Sequence, residues 1–179
     1  AGEIGRQTAQ LKKHVNRELA RARMAAGHGE PVRDIAAVLD EILATIRQLP
    51  RGRDIAFVMA VPRNQPVRME REDFIELAAN VLDNARKWAR SKVEIGLEKA
   101  EADVRLTISD DGPGVPQPLR AKLFDPFFTT RARGSGLGLA NVRKLVEAHG
   151  GTIRLLDSAA GARFAIRLPR RPVLPGAST

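Results

Sequence analysis

Two asparagines, Asn80 and Asn84, stand four residues apart, with Glu76 four before them and Lys87 three beyond, so that all four project from neighbouring positions of one helical face. Carboxamides suit helix interiors poorly because they compete with their own backbone for hydrogen bonds. Their oxygens, however, are neutral hard ligands fit for Mg²⁺, an ion that keeps several waters and takes further ligands from phosphates. A lysine beside them offsets phosphate charge. Taken alone, the helix fits either a metal-facing stripe or a polar face that happens to include Asn.

Two further constellations follow. Asp110-Asp-Gly112-Pro-Gly114 closes an alternating strand. Its glycines open backbone angles closed to other residues and allow close approach of a ligand. A carboxylate only accepts hydrogen bonds, so Asp110 would select the exocyclic amine of adenine over the carbonyl of guanine. By itself the segment also reads as a tight turn. Gly134-Ser-Gly136-Leu137-Gly138 precedes a helical pattern, where unpaired amides at a helix start make a site for phosphate oxygens; a flexible loop is the plainer alternative. The spacing is not the dinucleotide GxGxxG, and neither a GxxxxGK[ST] loop nor protein-kinase HRD and DFG elements occur. Together the three constellations describe a pocket for a magnesium-bound purine triphosphate.

The elements that must position these residues are legible from periodicity. Phe74, Leu77, Ala78, Val81, Ala85 and Trp88 recur at three and four and predict a helix over 74–89 with one buried face. Val104, Leu106 and Ile108 alternate with polar residues, predicting a strand at 103–109 paired with one at 92–99. Ile55 to Val61 reads as a buried strand, Val32 to Leu49 as a helix with Ile35, Val38, Leu39, Ile42 and Ile46 inward, and 137–149 as a helix ended by Gly150-Gly151. Strands near 152–156 and 162–168 complete the pattern, and Pro169 to Thr179 reads as a loose tail. From Ile4 to Ala25 a seam of Ile4, Leu11, Val15, Leu19 and Ala22 predicts a long helix suited to another helix.

Asn80-Val-Leu-Asp-Asn84-Ala-Arg-Lys87, Asp110-Asp-Gly112-Pro-Gly114, Leu123-Phe124-Asp-Pro-Phe127-Phe128 and Gly134-Ser-Gly136-Leu-Gly138-Leu closely resemble, in order and spacing, the N, G1, F and G2 boxes of sensor histidine kinases. The resemblance implies an α+β fold of the Bergerat type: a two-layer α/β sandwich with a mixed sheet of about five strands and three helices on one face, preceded by a helical arm. It assigns Asn84 to Mg²⁺, Asn80 to the metal and phosphate neighbourhood, and Lys87 to phosphate, with Asn80 and Lys87 as the catalytic pair. Asp110 would read adenine, and Gly112 and Gly114 would shape the base pocket. Gly134, Gly136 and Gly138 would form the phosphate-side hinge of a lid running from Pro113 to Ser135, with Leu137 packing beside them. Phe124, Phe127 and Phe128 would anchor that lid, and Trp88 would be either an aromatic wall near the nucleotide or a core residue. For Glu76 helix-surface support is preferred to a role as base.

The implied organisation is residues 1–27 as the C-terminal helix of a dimerization region, 32–169 as the catalytic ATP-binding domain and 170–179 as a tail. The implied reaction is transfer of the γ-phosphoryl of ATP to a histidine and thence to an aspartate of a response-regulator receiver domain, in a protein that dimerizes through the arm. The acceptor motif, His followed by Glu or Asp, is missing: His14, His28 and His149 have other neighbours and read as structural or surface residues. The acceptor histidine is therefore expected outside this sequence, and a chain that starts at Ala1 reads as part of something longer. Two other classes stay open, a stand-alone ATPase of the same fold and a module that holds nucleotide to support an interaction surface.

Composition agrees. The 179 residues, 43% hydrophobic, suffice for one good-sized core, and zero cysteines exclude disulfides and thiolate metal sites. No run of about eighteen apolar residues occurs; the resemblance implies that any membrane attachment lies in upstream segments and that this part is cytoplasmic. The net charge of +9 is spread over arginines without aromatic interleaving or a helix-turn-helix, which argues against nucleic acid as partner.

Overall fold

The computed structural model describes residues 30–130 and 136–170. The chain divides into two units, Ala1–Glu30 and Pro31–Thr179; the expected helical arm, His14 and His28 lie outside the described residues, as do Gly134 and the segment 171–179. In chain order the elements are α1 (Ile35–Ile46), β1 (Ala56–Ala60), α2 (Arg71–Trp88), β2 (Lys92–Lys99), β3 (Asp103–Asp110), α3 (Gln117–Arg120), α4 (Gly138–Ala148), β4 (Thr152–Leu156) and β5 (Arg163–Pro169).

The strands form one mixed sheet in the order β1-β2-β3-β5-β4, with β1 parallel to β2 and all other pairs antiparallel. Register places Ile95 opposite Ile108 and Ile108 opposite Phe164, and Leu106 opposite Ile166. These residues therefore share one face, and all are buried. The helices α1, α2 and α4 pack on that face to give the α+β sandwich expected. α1 starts where Asp34 accepts a hydrogen bond from Ala36 N at 3.2 Å, and it buries Ile35, Val38, Leu39, Ile42, Leu43 and Ile46. α2 buries Phe74, Leu77, Ala78, Val81, Leu82 and Ala85. Truncating one such side chain, Leu77 for example, removes on the order of 2–5 kcal/mol.

Three expectations are corrected. The apolar run at Ile55–Val61 is not a buried strand: β1 is an edge strand with Ala56, Val58 and Ala60 exposed. Trp88, placed on the buried stripe by spacing, is half-buried, while Leu82 and Arg86 complete that face. The loose tail does not begin at Pro169, which is the last residue of β5; Arg170 beyond it bridges Val67 and donates its amide to Ala102 O at 2.9 Å.

Candidate nucleotide site

The site is built where α2, the end of β3 and the start of α4 meet. Asp110, the last residue of β3, is 5% exposed. Its Oδ1 accepts from Gly112 N at 2.8 Å and from Ala162 N at 3.3 Å, whereas Oδ2 is buried with no partner among the described residues. Burial pushes this carboxyl above its ordinary pKa; the Gly112 and Ala162 amides oppose the shift and neighbouring Asp111 adds to it. A buried acceptor left unmatched costs free energy that a ligand donor can recover.

Glycine is required around this oxygen. A Cβ on Gly112 would lie 2.3 Å from Trp88 O and 2.7 Å from Asp110 Oδ1. Gly161, at φ +67°, would bring one to 1.8 Å from Asp110 O. Gly114, at φ +74°, packs its own against Gly161 O. Trp88 thus borders the loop through its backbone. Sequence reasoning missed Gly161 and Ala162, whose role exists only because β5 pairs with β3; Ala162 O also accepts from Asp110 N at 3.0 Å. Asp111 has a separate task. Its carboxylate receives the amides of Arg90 (2.8 Å) and Ser91 (3.0 Å) and the Ser91 hydroxyl (2.6 Å), tying the α2–β2 connection to the loop. Although desolvation acts against it, the Ser91, Lys92 and Arg90 donors hold that carboxyl well below the usual range.

On α2, Asn80 donates to Glu76 O at 2.8 Å, and its Oδ1 lies 3.2 Å from where a Gly138 side chain would begin. The structure therefore brings Asn80 to the first residue of α4, whose N-cap, Leu137, supplies no side-chain cap. Among the described residues no hydrogen bond engages the Asn84 side chain. Lys87 is exposed and paired with Asp83, Nζ to Oδ2 at 2.5 Å. Asp83 also binds the buried Arg86 at 2.6 Å. Burial works to raise the Asp83 pKa, but Lys87 and Arg86 outweigh it and hold the carboxyl low. Arg86 further donates to Pro50 O, and Arg51 caps α2 through Lys87 O (3.1 Å) and Ala89 O (2.8 Å).

The aromatic anchor is divided. Phe124 packs edge-on against Phe164 of β5, ring centroids 6.3 Å apart, and Phe128 is half-buried. Phe127 is 66% exposed. Its backbone, at φ +67°, donates to Gly136 O at 3.0 Å. Gly136, at φ +66°, approaches Phe127 too closely for any side chain, with 2.4 Å from its Cβ position to Phe127 C. His149 Nε2 meets Asp73 Oδ2 at 2.7 Å, a structural tie between the end of α4 and the first turn of α2. Among the described residues no group of three or more His, Cys, Asp or Glu side chains could hold a metal.

A sandwich with a buried unsatisfied carboxylate at a glycine-walled strand end and an asparagine facing a helix start defines a nucleotide-binding class. The chain belongs to the family described as histidine kinase-, DNA gyrase B- and HSP90-like ATPases, which it matches over residues 69–172. It is 34% identical over 91% of its length to the sensor protein kinase CarS of Pseudomonas aeruginosa. The solved mycobacterial sensor histidine kinase MprB superposes with a TM-score of 0.72 at 37% identity, covering 81% of this chain and 99% of that one. Full-length ShkA in complex with AMPPNP gives a TM-score of 0.67 at 25% identity, over 96% of this chain and 40% of that one. Within the family it is a catalytic ATP-binding domain of the sensor histidine kinase type. The chain spans 30 to 37% of the length of the curated relatives CarS and MprB. No helix among the described residues is long and apolar enough to cross a membrane.

Proposed function

We propose that this chain positions Mg-ATP for transfer of its γ-phosphoryl group to a histidine outside the sequence, and that a receiver-domain aspartate of a response regulator takes it next. The observation that carries the reading is Asp110 Oδ2, buried and unmatched at the end of β3. The adenine amine donates to that oxygen. Asn84 would supply its carboxamide oxygen to a magnesium ion, with Asn80 in the metal and phosphate neighbourhood, and with no cluster of charged ligands among the described residues the remaining ligands would come from phosphates and water. When bound, the ion neutralises phosphate charge as it shifts during transfer. The amides at the start of α4 hold phosphate oxygens, and Lys87 leaves Asp83 for them. Gly134, Gly136 and Gly138 act as the hinge beside them with Leu137 packed alongside, Trp88 borders the base, and Phe124 fixes the segment that covers it.

Residues 1–27 serve in this reading as the end of a dimerization helix, 32–169 with the bridged Arg170 as the catalytic domain and the residues after it as a tail, in a cytoplasmic portion of a dimeric sensor. The test mixes the chain with a separately produced helix pair bearing the acceptor histidine and γ-labelled ATP. Label on that histidine supports the kinase. Free phosphate alone would mean an ATPase, and bound nucleotide with neither product would mean a holding module.

A further inference from the structure

β4 (Thr152–Leu156) ends the sheet and pairs only with β5, so along its outer edge backbone donors and acceptors have no partner among the described residues. Against this edge lies a cavity of about 450 Å³ whose lining includes none of Asn80, Asn84 and Asp110. Phe124, Ile153 and Leu155 give it an apolar floor; Arg120, Arg143 and Arg154 outnumber the single acid, Glu147. Arg120 is bound to Asp157 at 2.5 Å and Arg143 to Glu147 at 2.9 Å, but Arg154 has no ion pair among the described residues.

We infer that this edge takes an extended segment of a partner chain as a sixth strand, one in which acidic residues alternate with apolar ones. The alternation follows from register. Ile153 and Leu155 stand opposite Ile166 and Phe164 on the helix-covered face, whereas Arg154 and its neighbours Thr152 and Leu156 point to the other face. Leu156 stands opposite Arg163, a second arginine without an ion pair among the described residues. A guest strand repeats this alternation: its apolar side chains enter the cavity over Phe124, and its carboxylates meet Arg154 and Arg163. A compact inorganic anion would use neither the apolar floor nor the backbone edge. The floor includes Phe124, so the guest rests on the same ring that holds the segment preceding α4 to the sheet.

The test titrates the full chain into a fluorescein-labelled Glu-Val-Glu-Val-Glu-Val peptide and follows anisotropy. Saturable binding is expected, at least tenfold tighter than that of a Glu-Glu-Glu-Val-Val-Val peptide of equal charge. Arg154→Glu should weaken it at least tenfold while leaving affinity for AMPPNP unchanged. Arg154→Gln, checked for an unaltered unfolding midpoint, should weaken it in the same direction. No saturable binding, equal binding of the block-ordered peptide, or affinity unaffected by both substitutions would overturn the inference.

Discussion

Asp110 and Asp111 are adjacent and chemically identical, yet the fold assigns them opposite duties. Asp111 is saturated by donors from Arg90 and Ser91, and Asp110 keeps one oxygen in reserve. Because Oδ1 is held by two amides, Asp110→Asn would turn its nitrogen toward the base, a donor facing a donor. Loss of a hydrogen bond to a charged group costs about 1.5–3 kcal/mol, so ATP affinity should fall about ten- to a hundredfold and the preference over GTP should collapse; competition between the two nucleotides measures both. The same substitution should raise the stability of the unliganded protein at neutral pH by about 1 kcal/mol. The sign follows from the raised pKa of Asp110. A carboxyl that binds its proton more tightly when folded contributes stability below its unfolded pKa, and loses it as pH rises through the folded value. Urea titrations should therefore show the gain vanishing below the ordinary value of 3.8. Ligand binding has the opposite sense: it favours the carboxylate, so affinity should weaken as pH falls toward that raised pKa. Spacing singled out Asp110 as the proposed reader of adenine, but the separation of its two oxygens depends on Ala162, fifty-two residues away.

At the scale of elements, periodicity revealed what is periodic. α1, α2, β2 and β3 fall within a few residues of their expected limits because each has one wet and one dry face. β1 was misread for a physical reason: five residues without charge look alike whether a strand is central or at an edge, and strand order decides which. Gly161 was invisible because only β3–β5 pairing sets its backbone against Asp110. Gly161→Ala should accordingly destabilise the domain by roughly 2 kcal/mol or more, read from the denaturation midpoint. The F box offers a paired comparison. Phe124→Ala removes the contact with Phe164 and should cost roughly 2–3 kcal/mol; Phe127→Ala, at a residue 66% exposed, should stay within about 0.5 kcal/mol.

On the scale of the whole chain, the four boxes were enough to name the fold class and the family, since their order and spacing survive on one scaffold. The proposed arm and acceptor histidine lie outside what the described residues hold, and the chain spans only 30 to 37% of its curated relatives CarS and MprB. With ATP alone, the chain should acquire no label on His14, His28 or His149, since none has the acidic neighbour of an acceptor; phosphohistidine detection at alkaline pH checks this. The most direct test of the account is calorimetry with AMPPNP, with and without Mg²⁺, on the native chain and on Asp110→Asn. The account predicts magnesium-dependent binding that the substitution weakens at least tenfold; equal affinity of the two proteins, or no heat from either, would contradict it.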